Sequence, residues 1–455
     1  MKKCGLEINP AKCASLALDV VRRISFTDGQ SFLRVNNEGI PALKIDEAYK
    51  YLGLHVSAKG AEPRVLSKLT SSLENLRKAP LKPQQRLFAL KQNVIPATLH
   101  QLVLGKPSRG LLKGLDKIIR KSCRNWLKLP HDSLNSFLHG EIKDGGLGIR
   151  SLCYAVPQLK IRRIGRLKAS SDPAVREAAN SEWFNRELDH WCKPLLIGKE
   201  PANSPDQEKF AWTVDLYGKT DGAGLQTARE VPYVHSWVGS GNALMSGHKY
   251  CAAIALRAGA LPCAERMARG RPNRRKTCEQ CPNKTEYLYH ILQVCPRTHG
   301  PRVKRHDYLV KKLNLYLEKA GWNILVEPRI PTADSFVKPD LIIWNEETAV
   351  VLDVAVCGDD QDAGRIAYRN KITKYSVDHP EVSPWVKALT TKEPTYSALI
   401  INWRGCIHSK SEIDLRAMGL SKAAMKLLSL STVEWGTVAH RIFMCSTSRA
   451  RGRLT

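Results

Sequence analysis

Between residues 62 and 167 apolar residues recur at three- and four-residue spacing. Prolines at 80, 83, 96, 107 and 130 divide this stretch into helices of ordinary length, which predicts a small helical domain. Before it, positions 31–35 and 49–56 read as strands, the second carrying Tyr51-Leu52-Gly53, and 5–13 reads as a turn feeding a strand. Residues 170–245 are polar, with Pro201, Pro205, Gly218, Gly222 and Gly224, and read as a connector with some helix. Beyond 300 the period changes again. A helix over 307–319 precedes β-rich runs at 324–330, 341–344 and 349–356, an amphipathic helix at 362–377 and a buried strand at 396–402. The pattern as a whole predicts a multidomain α/β chain ending in a compact α/β core.

Charge adds the partner. The 455 residues carry 71 Lys and Arg against 43 Asp and Glu, a formal +28, which asks for a polyanion. With 43% hydrophobic residues the charge belongs to folded surfaces and not to a disordered tail. No run approaches the roughly 18–20 apolar residues of a membrane span. The early apolar stretch 16–21 contains Asp19 and meets Arg22-Arg23, so neither an anchor nor a secretory segment is expected, and the chain reads as intracellular. Lys117, Arg120, Lys121, Arg124 and Lys128 recur at helical spacing with only Asp116 nearby to lace them, which predicts a basic face for a phosphate backbone. From 266 to 276 there are six basic residues and no acid.

That basic run leads into Cys278-x2-Cys281-x8-His290-x4-Cys295. Thirteen cysteines with a single Cys-x-x-Cys argue for one metal site and against a disulfide framework. Three thiolates and one imidazole suit a closed, structural Zn2+ site. Arg274, Arg275, Lys276, Arg302 and Arg305 around it make the module a nucleic-acid knuckle.

Two acids stand where water is scarce. Asp340 opens the run 341–344 and Asp353 interrupts 349–356. If the two runs pair as a hairpin about 345–348, both carboxylates reach one end, where mutual repulsion calls for a divalent ion such as Mg2+ or Mn2+. The helix 362–377 offers Lys371 and Lys374 one turn apart, with Tyr375 one turn beyond Lys371 and able to orient it. Together these groups make a metal-dependent phosphodiesterase, with a lysine facing the charge that develops on phosphorus.

The order of parts resembles the polyproteins of non-LTR retrotransposons, in particular the R-two clade that inserts in ribosomal RNA genes. Gly5-Leu6-x-x-Asn9-x-x-Lys12-Cys13 and Tyr51-Leu52-Gly53 look like the reverse-transcriptase palm strand and primer grip. Residues 86–105, 116–130 and Gly145-Gly146-Leu147-Gly148-Ile149 look like the thumb, and 255–262 like the segment before the knuckle. Lys338-Pro339-Asp340, Asp353 and Lys371-x-x-Lys374-Tyr375 resemble a restriction-like endonuclease. The resemblance implies a palm remnant over 1–57, a helical thumb over 58–169, a linker over 170–261, the zinc knuckle over 262–300 and the endonuclease over 301–455. It implies target-primed reverse transcription in the nucleus, with target DNA and element RNA as partners, and leaves a dimer open.

Two departures stand out. The restriction-like pattern has a lysine two residues after its second acid, where this chain has Ala355. The polymerase's aromatic-x-Asp-Asp turn would precede Gly5, so the chain is expected to be a C-terminal portion of its polyprotein without polymerase metal ligands. The only Asp-Asp, Asp359-Asp360, follows Asp353 and reads as a loop at a strand end. The competing reading is a catalytically inactive nucleic-acid-binding remnant of a degenerate element.

Overall fold

The computed structural model describes residues 8–447 except 17–18, 22–23, 27–32, 36, 52, 59 and 241–244. Gly5, Leu6 and Leu52 of the palm-like motifs, and Ser31 and Phe32 of the run 31–35, therefore lie outside the described residues, while Arg34–Val35 is a short strand. The chain groups into two compact units, each assembled from separated segments. One takes the described residues of Met1–Pro80, Ala89–Ser122 and Arg150–Glu208, the other those of Leu81–Phe88, Cys123–Ile149 and Lys209–Thr455.

In the first unit, Pro10–Lys12 is a 3-10 turn closed by the Lys12 and Cys13 N–H groups on Asn9 and Pro10 carbonyls. The run 49–56 is a hairpin and not one strand: Tyr49–Tyr51 pairs antiparallel with Leu54–Ser57, which pairs with Gly60–Glu62. Gly53 turns the chain between the first two at φ +82°, a left-handed conformation that suits glycine. Helices then dominate, as the spacing predicts. Pro96 does not end its helix. The residues before it, Leu90–Val94, widen into a π turn, and Ile95–Leu104 continues helical with proline in its first turn, where a missing N–H costs nothing.

The basic stretch forms α1 (Arg109–Leu127), buried along Leu112, Leu115, Ile119 and Cys123. Asp116 points away from the basic face: it is buried and accepts hydrogen bonds from the Ser151 hydroxyl (2.5 Å) and the Leu152 (2.8 Å) and Cys153 (3.1 Å) N–H groups. It thereby caps α2 (Leu152–Lys168), satisfying donors that no residue of that helix can reach.

The second unit centres on a four-stranded sheet. α3 (His299–Lys319) leads into β1 (Asn323–Val326), β2 (Leu341–Trp344) and β3 (Ala349–Cys357). A crossover through α4 (Ala363–Ser376) and α5 (Val382–Thr390) reaches β4 (Pro394–Asn402). The order is β1-β2-β3-β4, antiparallel across the first two pairs and parallel in the last. Period-two alternation sorts the side chains. Leu341, Ile343, Val350, Leu352 and Val354 join Leu309, Leu313 and Leu317 of α3 and Met425 and Leu428 of α6 (Lys422–Cys445) in one core. Ile342, Val351 and Ala349 join Tyr375, Val382 and Val386 on the opposite face. The run 324–330 is broken because Glu327 adopts φ +50°, ending β1 before the short pair Ile330–Pro331 with Phe336–Val337.

The expected linker 170–261 is mostly helical, with Pro173–Ala179, Glu182–Trp191, Pro205–Tyr217 and Gly247–Arg257 as its longest pieces. Its polar composition hides helices anchored by a few buried residues such as Trp191, Leu216 and Tyr250. No helix among the described residues is long and apolar enough to cross a membrane.

Asp116→Ala strips three charge-assisted bonds from the α2 N-terminus. It is expected to destabilise that turn by about 1–3 kcal/mol, read as faster amide exchange at Leu152 and Cys153; unchanged exchange there would show that the cap contributes nothing.

Candidate functional site

The β2–β3 register decides where the acids sit. Leu341 pairs with Leu352, so the next positions outward, 340 and 353, face each other. The turn is closed by Asn345, whose side chain accepts from the Glu347 and Thr348 N–H groups, both at 2.9 Å. Asp353 shares its parity with Val351 and thus the face covered by Tyr375. Both carboxylates are buried and converge on one donor: the Val354 N–H gives 2.7 Å to Asp340 Oδ2 and 3.1 Å to Asp353 Oδ1.

Four further side chains complete the surroundings of the pair. Lys371 Nζ of α4 lies 2.7 Å from Asp353 Oδ2. Lys374 instead donates to the Tyr375 hydroxyl at 3.1 Å and sits over that ring. Tyr375 is buried and donates to the Lys338 carbonyl at 3.2 Å, so it steadies the Lys338-Pro339-Asp340 segment and Lys374; the expected contact with Lys371 is not formed. The fourth is His306, which nothing in its own stretch of sequence singles out. It projects from α3 and places Nε2 3.1 Å from Asp340 Oδ2.

These contacts split the two acids. Burial opposes ionisation of Asp340, but the His306 hydrogen bond, with help from Asp353 and the Val354 N–H, holds it below the usual carboxylate range. Burial and the neighbouring Asp340 push Asp353 up, and Lys371 offsets this only in part. His306 is raised to about 9 by its bond to Asp340 against the opposing effect of burial, so it is a cation at neutral pH. Burial, then the charges of Asp353 and Asp340, push the Tyr375 phenol up.

The second cluster is compact. One ligand atom from each of Cys278, Cys281, His290 and Cys295 lies within 4.8 Å of all the others, a set able to hold a metal ion. A tight turn carries the first two, with the Cys278 N–H on Lys284 O (2.9 Å) and the Lys284 N–H on Cys281 O (2.8 Å). His290 and Cys295 bracket the π turn His290–Val294. Burial lowers the His290 pKa, keeping the imidazole neutral and able to ligate.

The basic residues divide into two groups. Lys117, Lys121, Lys128, Arg274, Arg275 and Lys276 are exposed, although Lys128 lies just past the end of α1 at φ +54°. Arg120 is half-buried, and Arg124 is tied to Ser133 O and Asn135 Oδ1, both at 2.7 Å. Two knuckle residues expected at a nucleic-acid surface are structural. Arg302 donates to the carbonyls of Gln293, Cys295 and Thr298. Arg305 is only 3% exposed, bonds Gln293 Oε1 at 3.0 Å and is pulled down to about 10 by burial. Within the run 266–276, Arg266 is buried on Asp221 and Asp132. Asp359 likewise is a structural acid, accepting from Trp403 Nε1 (3.0 Å) and Arg404 Nε (2.7 Å) in the loop after β3.

No protein-family model matches the chain. Among curated proteins it is 32% identical over 447 residues to the retrovirus-related Pol polyprotein from type-2 retrotransposable element R2DM of Drosophila melanogaster, covering 97% of this chain and 42% of that protein. The corresponding polyprotein from type-1 element R2 of Nasonia vitripennis is 31% identical over 461 residues, 100% of this chain and 44% of the relative. The chain therefore spans less than half the length of these two relatives. A type-1 element R2 polyprotein of Popillia japonica is 31% identical over 392 residues, and there the match covers 85% of this chain and 84% of the relative. Aligned along most of both sequences in that comparison, the chain belongs to the Pol polyproteins of R2 retrotransposable elements.

Proposed function

We propose that this chain is the portion of an R2 Pol polyprotein that grips nucleic acid and cuts target DNA as a metal-dependent endonuclease, in the service of target-primed reverse transcription. Its partners are ribosomal-gene DNA and element RNA, met in the nucleus. The observation that carries the reading is the pairing of two buried carboxylates across a hairpin with Lys371 on one of them and His306 on the other.

The donor set fits a hard cation: Asp340 and Asp353 offer only oxygens, and the buried Asp353 Oδ2 already faces a positive group, the Lys371 ammonium at 2.7 Å. Mg2+ or Mn2+ held there would polarise a phosphate and lower the pKa of its bound water. Lys371, beside Asp353, would neutralise charge on the scissile phosphate. His306 orients Asp340 and is a positioning residue. Tyr375 and Lys374 fix the strand that presents Asp340. The Ala355 departure is met by Lys371, which reaches Asp353 from the helix.

Zn2+ fits the second cluster. The Cys278 and Cys295 sulfurs are 3.9 Å apart, close to the roughly 3.8 Å edge of a tetrahedron with Zn–S bonds of about 2.3 Å. His290 Nε2 is buried with no hydrogen-bond partner. The ion would hold together a segment with little core of its own.

Asp353→Asn is expected to abolish nicking of supercoiled or target-site DNA while DNA affinity stays within a few fold, because exposed Lys and Arg supply the binding. Wild-type nicking by that variant would leave only the binding-protein reading. Lys371→Ala should slow cleavage by about 10²-fold or more and Lys374→Ala by much less; the reverse order would exchange their roles. Metal analysis of the purified chain should return about one zinc per molecule, lost in Cys281→Ser; unchanged content in that variant would remove the zinc assignment.

A further inference from the structure

A cleft of about 290 Å3 lies in the second unit between the 287–289 segment and the loop that follows β3. Its deeper polar groups are already matched to one another. Asp221 accepts from Arg266 and, at 2.8 Å, from Arg269, while Asp359 accepts from Arg404 and the Trp403 indole. Such mutual saturation makes a rigid floor with no spare charge for a ligand. The unspent capacity sits elsewhere in the lining. Tyr287 is 50% exposed and Tyr289 45%. Among the described residues neither hydroxyl, nor the exposed Asp360 carboxylate, has a side-chain hydrogen bond or ion pair.

Gly358 brings two of these groups together. A Cβ there would lie 3.3 Å from Tyr289 Cε2 and 3.5 Å from Asp360 Oδ2, so the ring edge and the carboxylate, both of which line the cleft, approach one point beside Gly358. Exposed aromatic rings beside a carboxylate acceptor, in a protein of net charge +28, are an unusual surface. A phosphate is excluded from it by Asp360. A planar group with N–H donors on its edge is not, because carboxylates accept from amino groups of bases and aromatic rings stack on their faces.

We propose that this cleft receives one unpaired base of a single-stranded nucleic acid, stacked on Tyr287 or Tyr289 with its amino edge on Asp360. The assignment rests on the nucleic-acid reading above and adds a subsite to it. Duplex bases, stacked on their neighbours, do not enter. The exposed Arg271, Arg274 and Lys276, which follow Arg269 of the cleft wall in sequence, offer charge to the flanking phosphates. Cytosine, adenine and guanine carry exocyclic amino groups and thymine does not, so the site discriminates against thymine.

The test is fluorescence anisotropy with the full chain and labelled oligo-dC, oligo-dT and duplex DNA of about 20 nucleotides, long enough to span such a site. Tyr287→Ala/Tyr289→Ala should weaken oligo-dC binding by about tenfold or more, the scale of one stacked base, and leave duplex binding within about twofold because backbone charge is untouched. Tyr287→Phe/Tyr289→Phe keeps both rings and should bind oligo-dC as the wild type does. Asp360→Ala, which leaves the knuckle untouched, should erase the preference for oligo-dC over oligo-dT. Equal losses on duplex and single strand, undiminished oligo-dC binding in the double alanine variant, or no wild-type preference between dC and dT would each overturn the subsite. A wild-type chain that binds none of the three probes would overturn the nucleic-acid reading with it.

Discussion

Two carboxylates held opposite each other away from water repel, and the centre of the second unit is arranged around relieving that repulsion. The β2–β3 register makes the encounter unavoidable, because 340 and 353 are the next pair after Leu341 and Leu352. Relief comes from three directions: a backbone N–H shared by both acids, His306 from α3 on Asp340, and Lys371 from α4 on Asp353. The helices that pack the sheet's faces therefore also deliver its counter-charges. Removing either cation leaves a buried charge without its partner, which costs more than the pair contributes.

The excess of positive charge is divided between two tasks. Part of it is internal: Arg266, Arg305 and Arg404 are almost wholly buried, Arg302 is spent on backbone carbonyls, and Arg404 joins Asp359 to the carbonyls of Asp221 and Arg257. Gln293 links the cysteine–histidine segment to the sheet by donating to the Cys357 carbonyl at 2.9 Å while accepting from Arg305. Arginine suits these positions because its planar fork satisfies several acceptors at once. Lysine dominates what is left on the surface of α1, at Lys117 and Lys121, where a flexible point charge can follow a phosphate backbone.

The legible parts of the sequence were those in which function is written at short range. The hairpin about 345–348 follows from alternation and an Asn-led turn, and the Cys/His spacing fixes its own cluster, since the four ligands lie within eighteen consecutive residues. His306 was illegible because 34 residues and a helix axis separate it from Asp340, and nothing in its own neighbourhood marks it. Arg302 and Arg305 misled for the complementary reason: a basic residue beside a cysteine–histidine cluster looks solvent-facing until α3 buries Arg305 and ties Arg302 to backbone carbonyls. The stretch 170–261 misled by composition, since helices there need only a few buried anchors and are otherwise polar.

Ala355 bears on how such a site tolerates change. Residue 355 lies two positions after Asp353 on one strand, so a side chain there would project to the same face as the second acid. In this chain that face receives its ammonium group from α4, with Lys371 Nζ 2.7 Å from Asp353 Oδ2. The proposed cleavage calls for a cation at a point in space beside the second carboxylate, and a lysine on a crossover helix packed over the strand can occupy that point as well as one on the strand itself. The helix is held for this task by Tyr375, buried against Val351 and Val386 and bonded to the Lys338 carbonyl, so that the packing of one ring fixes both the strand that carries Asp340 and the helix that carries Lys371.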